Sequence, residues 1–369
     1  MMKHRAELEF DCIKGHERAK SDGHCKNMDN LTDEEFDKLD STYYSFTSVA
    51  HHPGLGKLFC GTTNMTNDVL QSFDLETNTF ESMDYRSFGE RYEIKIHRSS
   101  TVGPDGNVYA ATSALHNINR RPKAPGGKLF RFDPHKREYA LLAVPCKYDY
   151  IQTISLDWDR QCICGMSYPV FKLFAYDLGK GEVVYEQFMG SISHIGAFDD
   201  DGGYWGTWGH SHHLFRYDCE RNEVKYFDHG FPVRCMSLMY AYAGPVDCMI
   251  NGGDGYLYIG HESGEIYRLD PKTGEVEYLI KPLPGYRMPA LAIGHDGRIY
   301  GFGGPDWHVR AFAYDRETGE YQVSGPIKET ESGEQCFRAH DLVIVGKRLF
   351  LCETDVGTRG AWLWECRLP

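Results

Sequence analysis

Seven copies of one short pattern constrain the fold of this chain more than any other feature. In six copies an aromatic or apolar residue precedes an Asp, and a tight turn follows. The six segments are QSFDLETNTF, FRFDPHKREY, FAYDLGKGEV, FRYDCERNEV, YRLDPKTGEV and FAYDRETGEY, with Asp at positions 74, 133, 177, 218, 270 and 315. A seventh, degenerate copy is AWLWECRLP.

A second pattern precedes each copy and consists of a turn followed by a short apolar strand. Its seven occurrences are GLGKLFCGT, PDGNVYAAT, WDRQCICGM, DDGGYWGTW, GDGYLYIGH, HDGRIYGFG and VGKRLFLCE. A repeat of about 50 residues with four strand-like segments is typical of a β-propeller blade. The sequence therefore predicts an all-β chain in which residues 1–369 form a single seven-bladed β-propeller domain, with four antiparallel strands in each blade.

The turns between these strands support the all-β prediction. Asp-Gly and Gly-Gly readily adopt the positive φ that a two-residue hairpin needs, and the flanking residues alternate between apolar and polar as in a strand. The Asp of each repeat precedes a tight turn, where an Asp side chain hydrogen-bonds to its own backbone. We therefore interpret these Asp residues as structural and not as catalytic groups.

The last blade indicates how the propeller closes. Its sequence supplies three strands, in CFRAHDLVIV, KRLFLCE and AWLWECRL, whereas residues 6–12, AELEFDC, alternate outside any other blade. We predict that this N-terminal segment completes blade seven as its outermost strand. The rest of residues 1–45 would then be a connector, in which NLTDEEFDKLD, with Thr32 and Glu35, fits a short capped helix.

Charge and composition narrow the class of partner. The net charge is −13, so a general affinity for nucleic acid phosphates is not expected. The start, MMKHRAELEFDC, lacks the apolar region of a signal peptide, and no run of about 18 apolar residues occurs. These observations predict a soluble cytoplasmic protein with no membrane partner; they do not predict its oligomeric state.

The cysteines do not follow the spacing of a disulfide framework. The chain has 12 of them, and the closest pair, Cys162 and Cys164, brackets Ile163 in a predicted strand. Alternate residues of a strand share one face, so these two side chains should lie together. We expect reduced, partly buried thiols.

The segment KIHRSSTVGPDGNVYAATSALH contains the first candidate site residues. His97 lies at the start of a predicted first strand, and His116 lies in the loop from the second to the third strand of the same blade. In a propeller blade these two positions open on the same face. We therefore expect both histidines at one rim, with Tyr168 of the next blade in the equivalent loop.

The same register, applied to every blade, predicts a group of polar side chains on that face. First-strand positions give Ser48, His97, Gln152, His194, Asp247, Met288, Arg338 and His340, and the second-to-third loops add His116, Tyr168, His210, His212, His213, His261, Glu262, Asp306, Trp307, His308, Glu353, Asp355 and Arg359. Among these, His194, Asp247 and His261 come from neighbouring blades. Imidazole and carboxylate are ligands for divalent cations, so the three residues form a candidate site for zinc, manganese or calcium.

With the blades placed, the chain resembles the seven-bladed β-propeller polysaccharide lyases, namely ulvan lyases and rhamnose-glucuronate lyases, and the related rhamnosyl-glucuronate hydrolases. The resemblance rests on the repeat architecture, the two-histidine hairpin of blade two, GMSYP in blade three, SHIGAFDDDGGYW in blade four and RAHDLVIVGKRLFLCETD near the C-terminus. It implies β-elimination next to a uronate in an oligosaccharide substrate.

The resemblance also implies roles for individual residues. His97 would neutralise the uronate carboxylate, His116 would act as base or acid, and Tyr168 would be their acid/base partner. The lyases have an arginine shortly before the blade-four histidine, whereas this chain reads EQFMGSISH there. Substrate binding would then depend on Gln152, His340 and an arginine of blade seven, for which the candidates are Arg338 and Arg359.

Two other functions stay open. A glycoside hydrolase acting on the same substrates would use the opposite face, where His51 and His52 of AHHPGLG should emerge at the end of the first strand of blade one. A non-catalytic binding propeller would need none of the His and Tyr side chains, although polar groups that line a channel carry a desolvation cost unless they are solvated or used.

Overall fold

A computed structural model of the chain describes residues 5–19, 34, 44–66, 68–114, 124–191, 193, 195–232, 244–285 and 287–369. The described residues are almost entirely β-strand and turn, and their sheets form the seven four-stranded antiparallel blades of a β-propeller. The predicted fold class is confirmed. The predicted helical connector around Thr32 and Glu35 lies outside the described residues. The contacts divide the chain into two compact units.

The first unit, residues 17–189 and 354–362, contains blades one to three. Its strands are β3 (Tyr44–His52), β4 (Lys57–Asn64), β5 (Leu70–Asp74) and β6 (Phe80–Ser82) in blade one; β8 (Ser100–Val102), β9 (Val108–Ala111), β11 (Leu129–Asp133) and β12 (Glu138–Ala143) in blade two; and β13 (Tyr150–Asp157), β14 (Cys162–Tyr168), β15 (Lys172–Asp177) and β16 (Glu182–Phe188) in blade three. Two short strands, β7 (Glu93–Lys95) and β10 (Ser113–Ala114), extend the sheet of blade one, and a 3-10 helix spans Tyr85–Ser87.

The second unit, residues 1–16, 190–353 and 363–369, contains blades four to seven. Its strands are β17 (Ala197–Phe198), β18 (Gly203–Trp208), β19 (His213–Asp218) and β20 (Glu223–Gly230) in blade four; β21 (Val246–Asn251), β22 (Leu257–His261), β23 (Ile266–Leu269) and β24 (Val276–Ile280) in blade five; β25 (Leu291–Ile293), β26 (Ile299–Gly303), β27 (Arg310–Tyr314) and β28 (Tyr321–Pro326) in blade six; and β29 (Ala339–Val345), β30 (Arg348–Glu353) and β31 (Trp362–Arg367) in blade seven.

Two N-terminal strands complete the set, and they correct the predicted bounds of the closing strand. The outermost strand of blade seven is β2 (Ile13–Glu17), which lies beside β31. The earlier strand β1 (Arg5–Glu7) instead runs parallel to β28 of blade six. Closure of blade seven by an N-terminal strand is confirmed, but residues 6–12 were the wrong segment. Alternation marks AELEFDC as a strand without identifying its partner, because pairing is decided by tertiary packing.

The Asp residues of the repeats cap their own turns, as predicted. In blade one, the Asp74 carboxylate accepts hydrogen bonds from the backbone N–H groups of Glu76 and Thr77, both at 3.0 Å. Blade six repeats the arrangement, with the Asp315 carboxylate 3.0 Å from the N of Glu317. Backbone hydrogen bonds of this kind lower the pKa of several of these carboxyls, at Asp74, Asp133, Asp177 and Asp315.

The core lies between the faces of neighbouring blades. In the first unit, Leu129 of blade two is fully buried in one cluster with Ile151 and Phe174 of blade three. In the second unit, Tyr258 of blade five and Phe312 of blade six share a cluster. Alternate residues of each strand therefore pack against the preceding or the following blade, which is why the sequence alternation has a period of two.

The cysteines of the described residues are all free thiols. Cys162 and Cys164 are buried, and their Sγ atoms lie 3.8 Å apart on one face of β14, as the strand period predicts. Across the described part of the chain, no helix has the length and apolarity needed to span a membrane.

Candidate functional site

The first strands of four blades share an irregularity at the same place. Each pairs with its neighbour through a β-bulge near its start, and the residues skipped by the pairing are Thr47, Gln152, Asp247 and His340. All four are buried, between 0% and 5% exposed. A β-bulge redirects a side chain that regular pairing would fix. Three of the four bulged residues are candidates that the sequence register predicted.

In blade two, the pairing register places Arg98 at the equivalent position. His97 directly precedes it, lies between β7 and β8 and is 6% exposed. Its Nδ1–H donates a 2.8 Å hydrogen bond to the backbone carbonyl of Gln152 in blade three. A carbonyl only accepts, so the proton of the neutral ring resides on Nδ1 and Nε2 carries the lone pair. The structure thus brings two predicted site residues together and fixes the orientation of the imidazole.

Arg98 was not singled out from the sequence, although it follows His97 directly. It is 4% exposed, and its backbone has φ of 45°, a left-handed conformation that non-glycine residues seldom adopt. Its N–H donates to the Thr47 carbonyl at 3.0 Å, and its carbonyl accepts from the Thr153 hydroxyl at 3.1 Å. Arg98 therefore joins the first strands of blades one and three. The available sequence signal was a cationic residue beside a candidate histidine.

Tyr168 is the last residue of β14 and is partly exposed. It pairs with Tyr150, and the two rings lie 4.9 Å apart between centroids. Tyr150 is two residues before the bulge at Gln152, whose carbonyl holds His97. Tyr168 and His97 thus contact the same end of strand β13, at Tyr150 and at Gln152.

His116 lies outside the described residues, but the strand that precedes it is described. In that strand, β10, Ser113 pairs with Lys95 and Ala114 pairs with Glu93 of β7. The chain segments that lead into His97 and toward His116 are therefore antiparallel neighbours.

A buried ionic network stabilises this pair of strands. Glu93 is 2% exposed, and its carboxylate lies 3.2 Å from Lys128 Nζ and 3.0 Å from the donating Thr112 hydroxyl. The hydroxyl of Tyr85 donates to the same carboxylate at 3.1 Å. Burial raises the pKa of Glu93 against the opposing effect of these partners. Sequence reasoning missed this network because its members are far apart in the chain.

The predicted metal ligands have protein partners. Both oxygens of Asp247 accept hydrogen bonds from Arg287, at 3.0 and 2.7 Å. His261 Nε2 lies 2.9 Å from the Pro232 carbonyl, and Nδ1 lies 2.6 Å from the Ser263 hydroxyl. In this arrangement the Asp247 carboxylate is paired with a guanidinium, and both ring nitrogens of His261 face protein groups. The third predicted ligand, His194, lies outside the described residues, and the metal site stays a prediction.

The arginines predicted to bind substrate are engaged within the chain. Arg338 forms a bidentate ion pair with Asp306 at 2.9 and 2.7 Å. Arg359 lies over the ring of Trp362, 4.1 Å from its centroid, and donates to the Gly360 carbonyl. His340 is 5% exposed at its bulge.

The histidines of the opposite face differ in their environment. His52 is buried, its Nε2–H donates to the Gly106 carbonyl at 3.0 Å, and its Nδ1 accepts from the Leu55 N–H at 3.2 Å. Both ring nitrogens of His52 are therefore engaged with backbone groups. His51 is half-buried, and burial lowers its pKa.

The fold defines the class of the protein as a seven-bladed β-propeller, with buried polar side chains near the starts of its first strands. No family model matches the sequence, and no curated protein matches it. Solved structures share the fold. Virginiamycin B lyase from Staphylococcus aureus matches with a TM-score of 0.63 at 14% identity, over 88% of this chain and 95% of that one. A catalytically inactive variant of that lyase with quinupristin matches over 97% and 100%, with a TM-score of 0.63 at 13% identity.

A second kind of neighbour comes from a two-component system. The extracellular domain of a putative hybrid two-component system from B. thetaiotaomicron matches with a TM-score of 0.59 at 12% identity. The match covers 88% of this chain, which spans 38% of the length of that domain. At these identities the similarities establish the fold alone.

Proposed function

We propose that the protein is a lyase that cleaves uronate-containing oligosaccharides, of the rhamnose-glucuronate type, by β-elimination. The observation that carries the proposal is the hydrogen bond from His97 Nδ1–H to the Gln152 carbonyl. The bond sets one orientation of a buried imidazole whose Nε2 can hold a proton or a lone pair. Neutralising a substrate carboxylate in the transition state requires such a positioned donor.

The elimination needs three actions on the substrate. His116, assigned from the sequence, takes the proton from C5 of the uronate. The electron pair of the C5–H bond forms the C4=C5 double bond as the C4–O bond breaks. Tyr168 gives its phenolic proton to the leaving oxygen, and exchange with water afterwards restores both residues. The products are an unsaturated uronate and an alcohol.

The substrate carboxylate must be neutralised while C5 loses its proton, because negative charge moves onto it in the transition state. His97 in its protonated form can donate from Nε2 to a carboxylate oxygen. Arg98 supplies a second positive charge, next to it in the chain. Removal of one such donor typically slows a reaction by about 100- to 1,000-fold.

The proposal is tested by incubating the protein with a panel of glucuronate-containing oligosaccharides. We expect an unsaturated uronate product, detected by its mass and its ultraviolet absorbance. The variant His97→Ala should lower the turnover rate by about 100-fold or more, because it removes a positioned donor to the substrate carboxylate. The matched control is His51→Ala, near the end of β3 in blade one, which should leave that rate unchanged.

A double variant separates a shared site from two independent ones. Groups that act as a unit are non-additive, so His97→Ala combined with His116→Ala should be little worse than the poorer single variant. Hydrolysis without an unsaturated product, together with loss of activity in His51→Ala, would overturn the proposal in favour of a hydrolase on the opposite face.

A further inference from the structure

The second unit contains a surface cleft remote in sequence from His97 and Tyr168. Its volume is about 370 Å³, and it is lined by Trp307, Ser332, Gly333, Glu334 and Gln335. One wall is the loop between β26 and β27 of blade six, and the other is the hairpin that precedes β29. We propose that this cleft binds a neutral pyranose ring of an oligosaccharide, with Trp307 as its stacking platform.

The wall that carries Trp307 is held in place by its own contacts. The backbone N–H of Trp307 donates to the Phe337 carbonyl at 2.8 Å, and the two rings lie 5.0 Å apart between centroids. The preceding residue, Asp306, forms the bidentate ion pair with Arg338. Trp307 remains partly exposed. The indole is therefore positioned before any ligand arrives, which reduces the entropy lost on binding.

The facing wall is also preformed. Glu329 and Glu334 bracket a tight turn, in which the Glu329 N–H donates to the Glu334 carbonyl at 2.7 Å. The Glu329 carboxylate accepts from the N–H of Ser332 at 2.5 Å. Gly333 has φ of 75°, a conformation that favours glycine at this turn. The polar side chains of Ser332 and Gln335 thus project from a fixed backbone.

The chemistry of the lining favours a neutral sugar. The flat face of an indole packs against the C–H groups of a pyranose ring, while hydroxyl, amide and carboxylate groups complement the sugar hydroxyls. Glu334 is the ionisable residue among the five that line the cleft, all of them described. The guanidinium of nearby Arg338 is paired with Asp306. The negative charge of Glu334 would repel a uronate carboxylate but not a neutral ring.

The cleft is of a size suited to a small ligand, since small-molecule sites are typically about 300–1,000 Å³. It would hold an uncharged residue of the oligosaccharide. The inference rests on the proposed function for the class of ligand, but binding here does not require elimination at His97. The two proposals can therefore fail separately.

The experiment is saturation-transfer difference NMR on the full-length protein with methyl glycosides of neutral pyranoses, and with free glucuronate as the charged comparison. We expect saturation transfer to at least one neutral glycoside and a weaker effect with glucuronate. Trp307→Ala should weaken binding of that glycoside by about tenfold or more, because it removes the aromatic face on which the sugar packs, and Trp307→Phe should restore most of the binding. Trp158→Ala, at a partly exposed tryptophan outside the cleft, is the matched control.

Gln335→Ala tests the facing wall and keeps the proposal falsifiable if Trp307→Ala does not fold. It should also weaken binding, with an unchanged melting temperature. Absence of binding by the wild type, or equal binding by wild type, Trp307→Ala and Gln335→Ala, would overturn the inference. Binding without cleavage of any oligosaccharide would overturn the proposed lyase function and leave the subsite standing. If the wild type and Trp307→Ala cleave the oligosaccharide with equal KM, the cleft does not bind the substrate during the reaction.

Discussion

At position 98 the backbone conformation favours glycine, whereas a positive charge there requires a longer side chain. The backbone occupies the left-handed region, with φ of 45°, where an L-residue is strained by about 1 kcal/mol. Glycine satisfies this conformation without strain but lacks the guanidinium. The residue present is nevertheless an arginine, and it is 4% exposed. Such strain is found preferentially at functional sites, where the side chain matters more than the local backbone.

The first prediction follows from this separation. Arg98→Gly keeps the backbone conformation and removes the charge, so the elimination rate should fall by about 100-fold or more while the melting temperature changes little. The control is Asn78→Gly at an exposed turn with φ of 56°, which should leave the rate unchanged. Steady-state kinetics and thermal unfolding of both variants measure the effect. Full activity of Arg98→Gly would show that another residue binds the substrate carboxylate.

The second prediction concerns His52, whose two ring nitrogens both bond to backbone groups. His52→Ala removes these bonds from a buried site, so the free energy of unfolding should fall by about 1–3 kcal/mol. The rate per folded molecule should stay the same. Denaturant titration together with kinetics checks this. Wild-type stability with abolished activity would instead support chemistry at the opposite face.

Strand β2 joins β31 from the opposite end of the sequence, so no short connection holds the two strands together. A charged cluster helps to hold it. His16 Nε2–H donates to the Glu365 carboxylate at 2.8 Å, and Arg348 Nε donates to the same group at 2.7 Å. One carboxylate therefore links β2, β31 and β30. This contact stabilises blade seven at the strand that closes it.

The third prediction is the pH dependence of this cluster. Burial alone would raise the pKa of Glu365, but the hydrogen bonds from His16 and Arg348 outweigh it and lower the pKa to about 2. A carboxylate with a depressed pKa stabilises the folded state above its ordinary value of 4.5, and the contribution is lost as the pH falls toward 2. Glu365→Gln should therefore lower the melting temperature at pH 7 and flatten its decline below about pH 4.5.

Glu277→Gln is the control for that measurement. Glu277 pairs with Arg268 at an exposed position, where an ion pair contributes about 0–1 kcal/mol. Its substitution should leave both the melting temperature and its pH profile close to those of the wild type. Identical profiles for Glu365→Gln and the wild type would show that the cluster does not hold β2.

For the whole molecule, the net charge sets the long-range interaction with the substrate proposed above. The chain carries −13, and a uronate oligosaccharide is also negative, so the two repel at a distance. The positive charge of Arg98 acts only after the substrate has approached. Salt screens the repulsion over about 10 Å at 0.1 M, while the contact between buried groups is screened much less.

The fourth prediction follows from this balance. The ratio kcat/KM for a glucuronate oligosaccharide should rise a few-fold, on the order of 2- to 5-fold, between low salt and about 0.1 M NaCl, because association becomes faster. The control is the methyl ester of the same substrate, which carries no charge. Its affinity for the protein should not change with salt concentration. A decrease of kcat/KM with salt would mean that local positive charge dominates the approach.

The sequence predicted the blades because each of their signals is local. A turn at Asp105-Gly106 and the apolar strand that follows it need only neighbouring residues, and the capping of turns by Asp74 and its counterparts is local as well. A pattern that repeats seven times averages out the errors of any single blade. The alternation that places Cys162 beside Cys164 is likewise a property of one strand.

Site positions followed partly from the same register. Counting along the repeats identified Gln152, Asp247 and His340, which the structure places at equivalent bulges. Counting could not reveal what each side chain contacts. The bond from His97 to the Gln152 carbonyl spans 55 residues, and that from Arg287 to Asp247 spans 40.

By itself, then, the sequence determined the number of blades, the strand pattern and the positions in the register. Tertiary structure alone decided that residues 5–7 join blade six while Ile13–Glu17 completes blade seven, since any exposed strand edge accepts an alternating segment. It also decided that Asp247 binds Arg287 and that Arg98 adopts a left-handed backbone beside His97. The physical reason is that turns and strand alternation are set by near neighbours, whereas pairing, burial and ionic partners depend on which distant segments the packed blades bring into contact.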